Sequence, residues 1–401
     1  MILTLWMAAS AHGPASALLE VLAWDDRVGC AEVSAGRTPK LVRANFGVLH
    51  HGGDGVYDYG CPSRWGGSEL AMVAYTNGMM VASGNTGTFV STDDACSAAQ
   101  VGVTPGQTPM ALAAWDDAAW LVTRDFDLGG SVLWRVDRAG ASEVLPLGGD
   151  DPDGLLGADD GLWIAGSAPG PFVWRFDGAA TEAQVVAAWP ATPTPLDRLA
   201  PRLVTPNEVW LVAGSGATRR LWRLRDGEVT APLPDAGIVH GPARLGDALL
   251  AVVDGVLWTS EAGGAWASQG EVDWTCLHER DGVTVACALD EVRVLAPGAG
   301  VPSYEAVMSL AQVGPPLEAC DGAAGQCDLD WLHFGGESGW IDSTPADCPD
   351  GEREVIPPMI LPPVEDGCDG CGGGRPSGWA LLVALLWRRA RRSAAEQPGG
   401  G

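Results

Sequence analysis

Apolar residues along most of this chain fall in short runs, each stopped by Gly, Asp, Asn or Pro. Strands are bounded in this way. Between residues 18 and 348 no sustained apolar repeat follows the helical period of about 3.6 residues. One phrase recurs instead: an apolar strand, a turn with glycine, then a second strand carrying an aromatic residue. AAWLVT (118–123) leads to VLWRVDRAG (132–140), GLWIAG (161–166) to FVWRFDGAA (172–180), and EVWLVAG (208–214) to LWRLRDGE (221–228). ALLAVVDG (248–255) runs into VLWTSEAGG (256–264), GMMVASG (78–84) into GTFVSTDDA (87–95), and VTVACALD (283–290) into VRVLAPG (292–298).

The anchor residues of the second strand, Phe89, Trp134, Trp174, Trp222, Trp258 and Val294, stand 45, 40, 48, 36 and 36 residues apart. Each unit also opens with a strand ending in an acidic or Asn turn, as in LAAWDD (112–117), LLGADD (155–160), LVTPNE (203–208), ARLGD (243–247) and CLHERDG (276–282). A repeat of about 40 residues with three or four short strands is one propeller blade. A single sheet of that size cannot bury both faces, so blades pack radially around a channel. The expected fold is therefore all-β: a β-propeller of six blades, or seven if residues 18–60 supply another. A β-sandwich is the alternative, but it leaves the recurring phrase without a cause. Trp134, Trp174 and Trp222 should occupy equivalent strands and be buried between adjacent sheets. Arg135, Arg175 and Arg223 each follow one of those tryptophans, so strand alternation points them to the other face. There an arginine stem covers apolar surface while its head meets an acid.

Charge narrows the range of partners. The chain of 401 residues has 24 basic and 51 acidic side chains, a formal charge of −27, and a single lysine, Lys40. Such a surface repels nucleic acids and anionic lipid headgroups, so neither is an expected partner. Ten cysteines suit an oxidising compartment.

Both ends read as targeting segments. Residues 1–17 carry an apolar run from Ile2 to Ala9 and then Ala15-Ser16-Ala17, a small-x-small cleavage pattern. At the other end, a Pro-rich spacer (349–367) is followed by Cys368-x-x-Cys371 in glycine, nine apolar residues from Trp379 to Trp387, and the cluster Arg388, Arg389, Arg391 and Arg392. Nine helical residues span about 14 Å, against a hydrocarbon core of about 30 Å, too short for a permanent span. The arginines would hold the terminus on the cytoplasmic side. This tail, about 366–392, resembles the MYXO-CTERM sorting domain of myxobacterial surface proteins. The resemblance implies cleavage near Cys368 or Cys371 by a sorting protease of the cell envelope, delivery to the outer surface, and membrane contact only through the tail. The alternatives for the cysteine pair are a plain disulfide or a metal or redox pair. The expected organisation is a signal peptide (1–17), a propeller body (18–348), the spacer (349–367), the sorting signal (368–392) and a tail (393–401).

Within the body, Ser91-Thr92-Asp93-Asp94-Ala95 and the segment Thr259–Trp266 are degenerate matches to Ser-x-Asp-x-Gly-x-Thr-Trp. On that pattern the body resembles Asp-box propellers, in which the motif braces a hairpin turn and does no chemistry. A sialidase-like site needs an arginine cluster, a Tyr nucleophile with a Glu, and an acid–base Asp. The body offers only Tyr57, Tyr59, Tyr75 and Tyr304 and no paired arginine motif. His50 and His51, near Asp54 and Asp58, read as a glycine-rich loop more than a metal site. Asp150-Asp151-Pro152-Asp153-Gly154 reads as a turn or a Ca2+ contact. No catalytic or cofactor residue is therefore named, and Ca2+ is the one cofactor left open.

Asp281-Gly282 is a two-residue hairpin signal between CLHER and VTVAC. Counting outward pairs Arg280 with Val283 and, on the fifth rung, Cys276 with Cys287. That rung should be hydrogen-bonded, with Cα atoms about 5.5 Å apart, within disulfide reach. Cys320 with Cys327 and Cys30 with Cys61 are further candidate pairs. The function expected from these readings is a surface-displayed, non-enzymatic propeller binding an extracellular protein or glycan. A secreted propeller glycoside hydrolase or lyase is the rival, and a cluster of Arg, Tyr and acids in the central channel would favour it.

Overall fold

The structure is a computed structural model. It describes residues 18–314, apart from 26–37, 46, 52–55, 62–64, 66–71, 85, 94–96, 103–106, 128, 169, 180, 185–197, 215–217, 234–236, 262 and 299. Seven separate sheets follow one another along the chain. Blade 1 holds β1 (Leu18–Asp25), β2 (Thr38–Ala44), β3 (Gly47–His51) and β4 (Tyr57–Gly60). Blade 2 holds β5 (Met72–Thr76), β6 (Met79–Gly84), β7 (Gly87–Ser91) and β8 (Ala99–Val101). Blade 3 holds β9 (Thr108–Trp115), β10 (Ala118–Asp125), β11 (Gly130–Asp137) and β12 (Gly140–Gly148). Blade 4 holds β13 (Asp151–Ala158), β14 (Gly161–Ala168), β15 (Phe172–Phe176) and β16 (Thr181–Gln184). Blade 5 holds β17 (Arg198–Thr205), β18 (Glu208–Gly214), β19 (Arg220–Arg225) and β20 (Glu228–Thr230). Blade 6 holds β21 (Val239–Leu245), β22 (Ala248–Val253), β23 (Val256–Glu261) and β24 (Trp266–Glu271). Blade 7 holds β25 (Cys276–Arg280), β26 (Val283–Cys287), β27 (Glu291–Ala296) and β28 (Ser303–Ser309).

Each blade is an antiparallel meander, and the first strands touch one another in a closed ring, with β1 against both β5 and β25. This is a seven-bladed β-propeller. The sandwich alternative fails because the strands form seven small sheets and not two large ones. Blade 1 comes from residues 18–60, the stretch expected to supply a seventh unit.

The core is divided among the blade interfaces. The seam between blades 4 and 5 packs Trp163 and Val173 against Leu211 and Trp222. That between blades 2 and 3 packs Met79 and Val81 against Leu121 and Trp134. Phe89, Trp134, Trp174, Trp222 and Trp258 all lie on the third strand and face the preceding blade. Trp134 and Trp222 are buried, while Trp174 is half-buried. Val294 does not match them. It lies on the third strand of blade 7 but packs in the cluster shared with blade 1, whereas its neighbour Leu295 faces blade 6. The assigned anchor is off by one position, and with a side-chain period of two that reverses the face.

Second-strand tryptophans fill the other side of three interfaces. Trp120, Trp163 and Trp210 pair across the strands with Arg135, Arg175 and Arg223. The arginines behave as the alternation requires. Arg135 bonds Asp117 and Asp137, Arg175 lies 3.6 Å from Asp160, and Arg223 donates to the Gly263 carbonyl of blade 6 at 3.1 Å.

The Asp281-Gly282 hairpin forms with the register counted from the sequence, and Cys276 is bonded to Cys287. Both turn residues have positive φ, +52° and +75°, as do Asn77-Gly78, Asp226-Gly227 and Asp254-Gly255. Only residues tolerant of the left-handed region fit these two-residue turns. The two Cα atoms are 4.8 Å apart, closer than the expected 5.5 Å. The rung ends the ladder, where the Cys287 carbonyl takes the Thr275 N–H at 2.7 Å. Cys61 is also disulfide-bonded. Its candidate partner Cys30 lies outside the described residues, as do Cys320, Cys327, Cys368, Cys371, Arg388, Arg389, Arg391, Arg392, Asp54 and the expected signal, spacer and sorting segments.

Candidate functional site

The first strands run to one mouth of the channel, and their terminal turns meet there. A cavity of about 470 Å³ opens between them, formed by blades 1, 2, 3, 4 and 7. Its aromatic side chains are Trp24, Tyr75 and Trp115, each half-buried, and its acids are the exposed Asp116, Asp159 and Asp281. Hydrogen bonds between blades hold the walls in place. The Trp24 indole N–H donates to the Arg280 carbonyl (3.2 Å), the Arg280 guanidinium donates to the Tyr75 carbonyl (2.7 Å), and the Thr76 hydroxyl donates to the Asp116 carbonyl (2.9 Å). Gly157 lets blade 4 reach blade 3: a Cβ there would stand 2.0 Å from the Ala114 carbonyl oxygen.

The opposite mouth has a different character. Glu20 and Arg43 of blade 1 form an ion pair at 3.9 Å. On β17 the ladder skips from Pro201 to Leu203, so Arg202 is the extra residue of a β-bulge. Bulges re-aim side chains. Arg202 is solvent-accessible, yet burial, then Arg219 and Arg43, lower its pKa below the ordinary arginine range, with Glu20 opposing. Burial, with Arg219 and Arg202 beside it, also lowers the pKa of His240.

The remaining sequence candidates have structural places. His50 and His51 are not in a loop: they end β3, paired with Asp58 and Tyr57, because β3 is a central strand of its sheet. The His51 ring lies 5.2 Å from that of Tyr57. Nor is the string at Asp150–Gly154 a turn. It leads into β13, where Asp151 pairs with Arg124 and Asp153 accepts from the Ser167 hydroxyl (2.6 Å) and Leu199 N–H (3.1 Å). Burial raises the Asp153 pKa, against those hydrogen bonds. Among the described residues no three His, Cys, Asp or Glu side chains converge as a metal site. Asp93 braces the β7–β8 hairpin by accepting from the Ser91 hydroxyl (2.7 Å) and from the Ser97 N–H (2.8 Å) and hydroxyl (2.6 Å). In the second such segment the Ser260 hydroxyl donates to the Gly264 carbonyl at 3.0 Å. Tyr57 and Tyr59 are core residues, and the Tyr304 ring lies against Arg293.

The cup is not legible as a cluster in the sequence. Trp24, Tyr75, Asp116, Asp159 and Asp281 are widely separated along the chain, and the only signal was the acidic turn that closes each first strand.

No protein-family model matches the chain, and no curated protein sequence does. Among solved structures, the chain is similar to the extracellular domain of a hybrid two-component system from B. thetaiotaomicron at 14% identity and a TM-score of 0.40. That match covers 58% of this chain and 32% of the other, so the chain spans about a third of that protein's length. It is also similar to the computationally designed Ika8 protein (14% identity, TM-score 0.39, covering 62% and 77% of the two chains). A third similarity is to a catalytically inactive virginiamycin B lyase from Staphylococcus aureus with quinupristin (13%, 0.40, 59% and 83%). The architecture of this chain rests on its own strand order and ring closure. No helix among the described residues is long and apolar enough to cross a membrane.

Proposed function

We propose that the chain is an exported, surface-anchored propeller that binds an extracellular glycan without turning it over. The cup of Trp24, Tyr75 and Trp115 with three acidic neighbours carries this reading. Aromatic faces stack on sugar rings, and carboxylates accept from hydroxyls. Sites with few placed polar groups in a concave wall are the usual small-ligand sites. The turn-bracing role of Asp93 fits the Asp-box resemblance, which implies structure and not chemistry. Export is supported by the disulfides, which suit an oxidising compartment.

The hydrolase reading has one observation in its favour: Tyr75, Arg280 and acids share the cup. Against it, the Arg280 guanidinium is already bonded to a carbonyl and lies 3.8 Å from Asp281. A glycan array probed with protein recovered from the cell surface tests the proposal. Retention should fall at least tenfold in Trp115→Ala and Asp159→Asn, and no retained glycan should be cleaved. Unchanged retention in both variants overturns the site, and cleavage overturns the non-enzymatic reading. Mass spectrometry of the same material should find a chain beginning near Leu18 and lacking WALLVALLWRRARR.

A further inference from the structure

We propose that the aromatic cup selects an amino sugar, a glycan whose free amines are protonated, an inference that rests on the glycan reading of that cup. Two of the turns around it, Asp116-Asp117 and Asp159-Asp160, divide their carboxylates between two tasks. The second acid is engaged within its own blade. Asp117 meets Arg135 at 2.8 Å, while Asp160 accepts from the Trp163 indole at 3.0 Å and lies 3.6 Å from Arg175. The first acid is exposed and lines the cup, and its carboxylate has no hydrogen-bond or ion-pair partner among the described residues. Asp116 and Asp159 follow Ala114 and Gly157 by two residues, where the first strands of blades 3 and 4 come into contact, so like charges occupy neighbouring turns.

The cations near the cup are already engaged. The Arg280 guanidinium donates to the Tyr75 carbonyl and lies 3.8 Å from Asp281. Arg138 donates to the Asn77 carbonyl at 2.8 Å, and the Lys40 ammonium lies 3.5 Å from the Tyr75 hydroxyl. The Trp24 indole N–H is bonded to the Arg280 carbonyl, so what Trp24 offers a ligand is its ring. An aromatic face attracts a cation, and a carboxylate accepts from its N–H donors. A neutral sugar hydroxyl meets only the second need, and an anionic sugar is repelled by Asp116 and Asp159. A protonated amine on a sugar ring meets both while the ring itself stacks. A concave wall of one sign also concentrates the opposite charge.

The test is calorimetric titration of the full exported chain with two probes that differ at the amine, the tetramers of glucosamine and of N-acetylglucosamine. At about pH 6 the amine form should bind at least tenfold tighter, and the advantage should vanish at about pH 9, where the amine is neutral. Asp116→Asn and Asp159→Asn should each weaken the amine form at least tenfold and leave the acetylated form unchanged. Asparagine tolerates the φ of +57° at Asp116, so the turn is kept. Glu228→Gln makes the same charge change at an exposed position of blade 5 and should alter neither affinity. Equal affinity for the two tetramers, or equal loss in the Glu228 variant, overturns the selection and leaves the glycan reading standing. Binding of neither tetramer overturns the selection too, and retention of another sugar on the array then decides separately whether the glycan reading survives. A lysine tetrapeptide bound as tightly as the glucosamine tetramer would mean capture of charge without a sugar and would overturn both.

Discussion

His278 shows how one side chain couples the ends of the ring. It sits on the first strand of blade 7, and its Nε2 accepts the Val21 N–H of blade 1 at 3.2 Å. Accepting there requires the neutral ring. Burial lowers its pKa below 6.5, with Arg280 acting in the same direction and Glu20 opposing. A histidine whose folded pKa is depressed contributes stability that is complete above about pH 6.5 and lost as pH falls below it, because the unfolded chain then takes up the proton first. The denaturation midpoint should therefore fall between pH 7 and 5. His278→Gln should flatten that slope and, at pH 7, cost about 1–2 kcal/mol through the lost buried hydrogen bond. An unchanged slope in the variant would assign the acid sensitivity elsewhere, His240 first. No sequence pattern announced this contact, since its partners are 257 residues apart.

At the scale of strands and hairpins much was legible, because period-two alternation and Asx-Gly turns act locally. The third-strand position of the aromatic anchors, the Cys276–Cys287 register and the opposed arginines all follow from nearest neighbours along or across one blade. What failed also failed locally: without a tryptophan to fix the phase in blade 7, Val294 was aligned one residue from the face it was assigned. His50 and His51 misled because flanking glycines suggested a loop, while pairing on both sides made a strand. The acidic cup was illegible for a different reason. Blades 2, 3, 4 and 7 each contribute the turn that closes their first strand, and the convergence of those turns beside Trp24 is a property of ring closure alone. The interface tryptophans allow a graded check. Trp222→Ala removes a buried ring between blades 4 and 5 and should cost about 3–5 kcal/mol in urea unfolding. Trp258→Ala, at a half-exposed ring, should cost clearly less. Equal costs would mean that burial between blades does not set the energetics.

For the whole molecule the decisive feature is where the ring shuts. All four antiparallel strands of blade 1 come from the N-terminal side and all of blade 7 from the C-terminal side, so neither blade's meander joins the two ends. The chain compensates beyond β28. Ser309 accepts the Ala311 N–H at 3.3 Å while Gln312 accepts the Ser309 N–H at 2.7 Å, capping a short 3-10 turn over Leu310–Gln312. That turn leads into β29 (Val313–Gly314), which pairs in parallel with β4 on the outer edge of blade 1. Leu310 and Val313 are buried in the same cluster as Leu18, Tyr57, Val285 and the Cys276–Cys287 bridge. Loop-closure entropy opposes joining segments so far apart in sequence, so the seam is where local opening should start. Leu310→Ala should cost about 2–5 kcal/mol, and Leu310→Ala with Val313→Ala should raise amide exchange in β1–β4 and β25–β28 before β13–β20 respond. Uniform exchange around the ring in the double variant would show that the seven interfaces hold equally and that β29 is not the clasp.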